Sequence, residues 1–308
     1  MHIIVLGAGA IGTFYGVRLA AEHPVTLIAR PEHVDAIRRR GARISGLETT
    51  TAAVSAATHV ETIPADTLIL LTTKVYDNEA AIRPILPMLR SDTCILCLQN
   101  GLYSERVVRS LVGGACEVLR GIVQFGVTFM GPGEVALRAD GWTSIEDGPR
   151  SRAIAELLAR SGLDGRISAD MRDEMWRKVI VNCVINPLTA VTGLEVGWVT
   201  DARIDPLKRL VADECRAVAQ RDGVVIEDDV VAAINEVYGP SRNMSSMCQD
   251  LLKGRRTEID YLNGAVVELG ERVGIACPAN AALAALVRAM EARARPTVDA
   301  AQAPRHTT

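Results

Sequence analysis

His2-Ile3-Ile4-Val5-Leu6-Gly7-Ala8-Gly9-Ala10-Ile11-Gly12 is the stretch on which the reading of the fold turns. Its first five residues form a short, mostly apolar, β-branched run that stops at a glycine, and a helical pattern through Phe14, Val17, Leu19 and Ala20 follows. Strand, turn and helix therefore come in direct succession. A G-x-G-x-x-G in that setting has a mechanical meaning. The first glycine permits the tight turn, the second lets the backbone approach a pyrophosphate, and the third lets the helix pack closely on the strand. The phosphates would meet the helix N-terminus, where free N–H groups and the helix dipole favour negative charge.

Working outward, a second strand over residues 25–29 ends at Arg30, and Pro31 suits the first turn of a helix running toward Arg40. This is a βαβ unit. NAD-selective sites carry an acidic residue at the end of that second strand to bind the ribose 2′-hydroxyl. Here the position holds Arg30, whose guanidinium can pair with a 2′-phosphate, so NADP(H) is the expected cofactor. Apolar runs at 67–71 and 94–98 flank a helical segment around 79–89, which extends the alternation expected of a parallel, doubly wound sheet. Thr72-Thr73-Lys74 and Gln99-Asn100-Gly101 fall just past those strand ends, where such sheets bind ligands. Between 118 and 145, Gly121, Gly126, Gly131, Pro132, Gly133 and Gly141 punctuate short alternating runs, read as antiparallel strands closing the sheet.

After Pro149 the helical period takes over, and strand signal is scarce from Met171 to Met290. The expected class is α/β: a Rossmann-type dinucleotide-binding domain over 1–167, then an all-helical substrate and catalytic domain over 168–294. The tail 295–308 lacks periodicity and is expected to be disordered.

Composition narrows the partners. A net charge of −3 with 48% hydrophobic and 23% charged residues fits neither a disordered chain nor the basic footprint of a nucleic-acid binder. No apolar stretch reaches the roughly 18 residues of a membrane helix, and no charged n-region precedes an apolar segment at the N-terminus. A soluble, cytoplasmic protein with a small-molecule partner is expected. The seven cysteines are odd in number and scattered, against a disulfide framework. Cys94 and Cys97 are spaced C-x-x-C, yet they sit in a continuous apolar run and read as core; without a second ligand pair, no metal is expected.

The five histidines are His2, His23, His33, His59 and His306, so none lies in the helical body. Acid–base chemistry there must come from Lys, Glu, Asp, Tyr or Cys. Residues 175–187, Met-Trp-Arg-Lys-Val-Ile-Val-Asn-Cys-Val-Ile-Asn-Pro, read as an apolar helix carrying Lys178, Asn182 and Asn186 at i, i+4 and i+8, on one face. An unpaired buried amide costs about 1 to 3 kcal/mol, so a ligand-lined cleft explains the stripe better than a core position does. A solvent-facing stripe is the other reading.

These separated motifs, in this order, resemble the ketopantoate reductase family. The resemblance rests on the Gly7–Gly12 loop, Arg30, Lys74, Gln99-Asn100-Gly101, Trp176-Arg177-Lys178 with Asn182, and Asn186-Pro187-Leu188-Thr189-Ala190. It extends to Asn243-Met244-Ser245-Ser246-Met247-Cys248-Gln249-Asp250 and to Arg255-Arg256-Thr257-Glu258-Ile259-Asp260. It implies NADPH-dependent reduction of 2-dehydropantoate to (R)-pantoate, a step toward pantothenate and coenzyme A. It also implies Lys178 as general acid with Glu258 assisting, and Asn182, Asn186, Asn243 and Ser246 lining the substrate pocket. Gly7, Ala8, Gly9, Ala10, Ile11, Gly12, Arg30, Lys74 and Asn100 are implied on the cofactor side. Without the resemblance, residues 245–260 would read as a helix with a charged outer face. Reduction of another 2-keto acid or an imine, and a non-catalytic NADP-binding sensor, are the alternative readings. A homodimer through the helical domain stays open, since its apolar faces are equally explained by its own core.

Overall fold

The structure is a computed structural model that describes residues 1–239 and 241–294; the expected tail lies outside these. The chain divides into two compact units, one from Met1 to Met175 and one starting at Trp176.

The first unit opens with β1 (His2–Leu6), α1 (Ala10–Leu19), β2 (Val25–Ile28) and α2 (Pro31–Arg40). Then come β3 (Ala42–Gly46), β4 (Thr50–Ala52), β5 (Ser55–Ala57) and β6 (Thr67–Leu71). α3 (Asn78–Ile82) passes into a 3-10 turn, Arg83–Met88, in which Pro84 and Pro87 withhold the amides that a longer α-helix needs. The unit continues with β7 (Cys94–Cys97), α4 (Ser104–Val112), β8 (Glu117–Val123), β9 (Gly126–Gly131), β10 (Glu134–Ala139), β11 (Thr143–Ile145), α5 (Ser151–Arg160) and β12 (Gly165–Ile167).

Eight strands form one sheet in the order β12-β11-β8-β7-β6-β1-β2-β5. From β5 to β8 every pairing is parallel, and β11 runs antiparallel to β8. The strand order reverses at β1 and β6, so the crevice at their carboxyl ends is the switch point at which such sheets bind ligands. β1 is apolar from Ile3 onward because both of its faces are covered. Ile3 and Val5 join the core shared with α1, whereas Ile4 and Leu6 join the one that includes Ile82 and Val108. Each such side chain contributes about 1.5 to 3 kcal/mol on burial.

One expectation is corrected here. β9 and β10 do not close the main sheet; with β3 and β4 they build a separate four-stranded sheet in the order β4-β3-β10-β9. α1 packs against β1 and β2 of one sheet and against β3, β9 and β10 of the other. That double cover explains why Gly12 through Val17, and Leu19, are all buried on a helix with no polar face. Cys94 and Cys97 are three residues apart on a strand, so they point to opposite faces and enter different cores. Burial pushes the Cys97 thiol up to about 12.

The second unit is helical among its described residues. α6 (Met171–Thr192) enters it from the first; α7 (Asp205–Arg221), α8 (Val230–Tyr238), α9 (Ser246–Leu252), α10 (Asn263–Val273) and α11 (Pro278–Ala294) complete it. No described helix is long and apolar enough to cross a membrane.

Candidate active site

In the first unit, the glycine loop lies at the switch point. Gly7 has a φ of +92°, a conformation that a side chain would strain, and an added Cβ would meet the Thr73 amide nitrogen at 2.7 Å. A Cβ at Gly12 would lie 2.5 Å from Thr72 Oγ1 and 2.8 Å from Val5 Cγ1, so this glycine serves helix-to-strand packing. Gly9 differs: its Cβ would meet only the Gly7 carbonyl oxygen, at 3.8 Å, leaving open space over the loop. Gly9 also caps α1 without any side-chain hydrogen bond, and no acidic residue stands in the first turn. A helix terminus left uncapped by carboxylates, beneath an open backbone, fits a pyrophosphate. The Gly7 and Ala8 amides bond to the Ile28 carbonyl at 3.1 and 2.9 Å, which ties the loop to the end of β2. Two residues on, Arg30 is exposed and caps α2 through its backbone, with Pro31 at the first helical position.

The loops after β6 and β7 carry Lys74 and Asn100, both half-buried. A buried polar lattice binds these loops together. Gln99 Nε2 donates to the Thr73 carbonyl at 2.9 Å and to Asn78 Oδ1, and Asn78 Nδ2 donates to the Ser104 carbonyl at 3.2 Å. From β8, Arg120 donates to the Gly101 carbonyl at 3.0 Å and to Ser104 Oγ, and it lies 3.5 Å from the Glu105 carboxylate. Arg120 and Glu105 are 3% and 5% exposed, so the pair sits out of water and holds the Asn100 turn from below. Sequence reasoning did not single out Asn78, Glu105 or Arg120. The available signal was a charged residue at position 120 inside an apolar strand.

In the second unit, α6 presents the expected stripe. Lys178 and Asn182 are half-buried and Asn186 is buried. Trp176, fully buried, donates its indole N–H to Asp222 at 2.9 Å and so anchors the start of this segment to the end of α7. Lys178, Lys208 and Lys253 are the lysines of this half of the chain. Lys208 is fully buried, with its ammonium on Asp205 Oδ1 at 2.6 Å, the Val199 carbonyl at 2.6 Å and Asn235 Oδ1 at 2.5 Å, which commits all three hydrogens. Lys253 is exposed beyond α9. Lys178 is thus the one set among the apolar residues of α6 with an exposed portion left.

Residues 245–260 are not one helix. α9 ends at Leu252, Gly254 turns the chain with a φ of +62°, and the Arg255 amide bonds to the Asp250 carbonyl at 2.8 Å. Ser246 is exposed at the first position of α9. Its neighbour Ser245 is buried, accepts from the Cys248 amide at 3.1 Å and shares a 2.6 Å bond with Thr189 of α6. Asn243 is half-buried, and its carbonyl accepts from the Val196 amide at 2.7 Å. Glu258 is 6% exposed and precedes a 3-10 turn, Ile259–Tyr261. Glu291 of α11 receives the Thr257 amide at 2.7 Å, and Arg288 reaches Asp260 at 2.7 Å, so α11 fixes the segment that carries Glu258.

Family models match both parts of the chain. Residues 3–150 match ketopantoate reductase PanE/ApbA, and residues 170–291 match the ketopantoate reductase PanE/ApbA C terminal. The chain belongs to the ketopantoate reductase family. It is 34% identical over 300 residues to the 2-dehydropantoate 2-reductase of Pyrococcus horikoshii, covering 94% of this chain and 98% of that one. The crystal structure of a PanE/ApbA family ketopantoate reductase from Ralstonia eutropha superposes with a TM-score of 0.88 at 37% identity, over 96% of this chain and 99% of that one. D-mandelate dehydrogenase with NADH and anilino(oxo)acetate also gives a TM-score of 0.88, at 28% identity, over 96% and 99%. The ketopantoate reductase fold, a Rossmann-type domain followed by a helical one, is the expected architecture.

Proposed function

We propose that this ketopantoate reductase family member is the NADPH-dependent reductase of 2-dehydropantoate, with residues 1–167 binding the nucleotide and 168–294 the substrate. The observation that carries this reading is the lysine-and-asparagine stripe of α6 in a chain matched along nearly its whole length by 2-dehydropantoate 2-reductases. The open, uncapped Gly7–Gly12 loop would receive the pyrophosphate, and Arg30 the 2′-phosphate. Lys74 and Asn100, on loops at the carboxyl ends of β6 and β7, would border the nicotinamide.

NADPH, when bound, supplies a hydride to the keto carbon. The protein must stabilise the negative charge that then grows on oxygen, and the Lys178 ammonium donates a hydrogen bond and then a proton to that oxygen. Glu258 balances the ammonium and orients it. Asn182, Asn186, Asn243 and Ser246 offer amide and hydroxyl groups to the polar ends of the substrate, for which an apolar helix face would be a poor host. NADPH oxidation measured with 2-dehydropantoate beside a panel of 2-keto acids tests the reading. A kcat/KM for 2-dehydropantoate no better than for the rest of the panel would overturn it.

A second reading, reduction of another 2-keto acid, is favoured by the likeness to D-mandelate dehydrogenase, whose ternary structure holds NADH and anilino(oxo)acetate. The same panel separates the two, and an NADH arm separates the cofactors.

A further inference from the structure

Pro187 lies inside α6, four residues after Cys183. Its nitrogen carries no hydrogen, so the Cys183 carbonyl loses the amide that would close its helical turn, and the proline ring crowds that same carbonyl. Cys183 is fully buried, which removes water as a substitute partner. Asn263, at the first position of α10 and also fully buried, donates its Nδ2 to the Cys183 carbonyl at 2.9 Å. The same amide donates to Asn280 Oδ1 at 2.9 Å, and Asn280 Nδ2 donates onward to Glu214 Oε2 at 2.8 Å and to the Val211 carbonyl at 3.2 Å. Glu214 of α7 in turn accepts the backbone amides of Ala279 and Asn280, at 2.8 and 2.9 Å. The gap in α6 is therefore filled from outside, by a side chain braced through α11 to α7. That gap falls between Asn182 and Asn186.

We propose that Asn263 is a positioning residue: it replaces the amide that Pro187 lacks and thereby fixes how α6 continues past Cys183, holding Asn186 in register with Asn182 and Lys178. The inference rests on the reading of that stripe as the substrate site. A residue that only stabilised the unit would not care which residue stands at 187; one that replaces a missing amide must.

The test is a double-mutant cycle of Asn263→Ala and Pro187→Ala. In the native background, Asn263→Ala is expected to raise KM for the 2-keto acid about tenfold, the scale set by one lost buried hydrogen bond, with the NADPH dissociation constant unchanged. Pro187→Ala returns a backbone amide opposite Cys183, so in that background the same substitution should raise KM less than about twofold. Equal losses in both backgrounds, or no loss in either, overturn the proposal. Urea denaturation of the four proteins reads the same coupling without turnover. A wild-type enzyme that turned over no 2-keto acid would remove the proposed function and the positioning role with it, whereas additive midpoints would refute the amide replacement alone. Should Asn263→Ala fail to fold, the double variant is expected to fold, and its failure too would count against the proposal.

Discussion

Thr13 of α1 and His33 of α2 share a buried 3.0 Å hydrogen bond. On the far side of the ring, His33 Nδ1 accepts the Gly133 backbone amide at 2.8 Å, so the neutral ring carries its hydrogen on Nε2 and donates it to Thr13. Thr13 passes its own hydrogen to the Ala8 carbonyl inside the loop, at 3.2 Å. A protonated His33 would oppose a donor to the Gly133 donor. Burial holds the His33 pKa below its ordinary 6.5, against the nearby charge of Glu32. Its stabilising contribution is present in full above the unfolded value of 6.5 and is lost as the pH falls through the lower folded value. Urea midpoints taken between pH 8 and pH 5 should fall on acidification. His33→Leu should flatten part of that fall, the remainder including His23, which is lowered in the same direction chiefly by burial.

Gly9 and Gly12 should respond differently to the same substitution. Gly9 has a negative φ and open space for a Cβ, so Gly9→Ala is expected to leave the melting temperature unchanged while weakening NADPH binding by at least about tenfold. Gly12→Ala drives a methyl to within 2.9 Å of the Gly7 carbonyl and should destabilise the first unit itself. Calorimetry paired with NADPH titration distinguishes these outcomes. Tight NADPH binding by Gly9→Ala would refute the role given to that open space.

Arg120→Met should leave the Glu105 carboxylate buried with a poorer partner, at a cost of about 3 kcal/mol by urea unfolding. That cost lies at the low end for a broken buried pair because Arg109 remains 3.9 Å from Glu105. Adding Glu105→Gln should recover most of the loss, and an undiminished deficit in the double variant would show that the charge pair is not the cause.

Lys178→Ala is expected to lower kcat by about a hundredfold to ten-thousandfold with NADPH affinity retained, the range for loss of a general acid. Turnover near that of the wild type would remove Lys178 from the mechanism. Arg30→Ala should shrink the preference for NADPH over NADH by about tenfold or more, mainly through the NADPH constant.

What the sequence disclosed, and what it hid, divide by range. The strand, glycine turn and helix of residues 2–19 declare themselves because each signal lies within a few positions of the next. The stripe on α6 is legible for the same reason, since a helical repeat alone decides which residues share a face. β3, β4 and β5 do not declare themselves, being three to five residues long with mixed burial, and β3 takes its parallel partner, β10, from far along the chain. β10, the neighbour of β3 in the small sheet, reads from its sequence as a strand of the main one. Asn263 could not be tied to Pro187 by spacing, because its partner Cys183 stands 80 residues earlier. Ser245 carries no local signal that sets it apart from the exposed Ser246 beside it, because its partner Thr189 stands 56 residues earlier.

The small sheet also bears on how the molecule is made. β3 pairs in parallel with β10, Arg43 opposite Glu134 and Ile44 opposite Val135, so its partner is synthesised some ninety residues later. Until that strand leaves the ribosome, Ile44, wholly shielded in the finished protein, and the outer side of α1 lack the cover that β9 and β10 bring. Pairings of such long range are slow to form, and nascent chains that wait for them are open to association with one another. The glycine loop, complete in sequence by residue 12, gains the His33–Gly133 brace only once residue 133 has arrived.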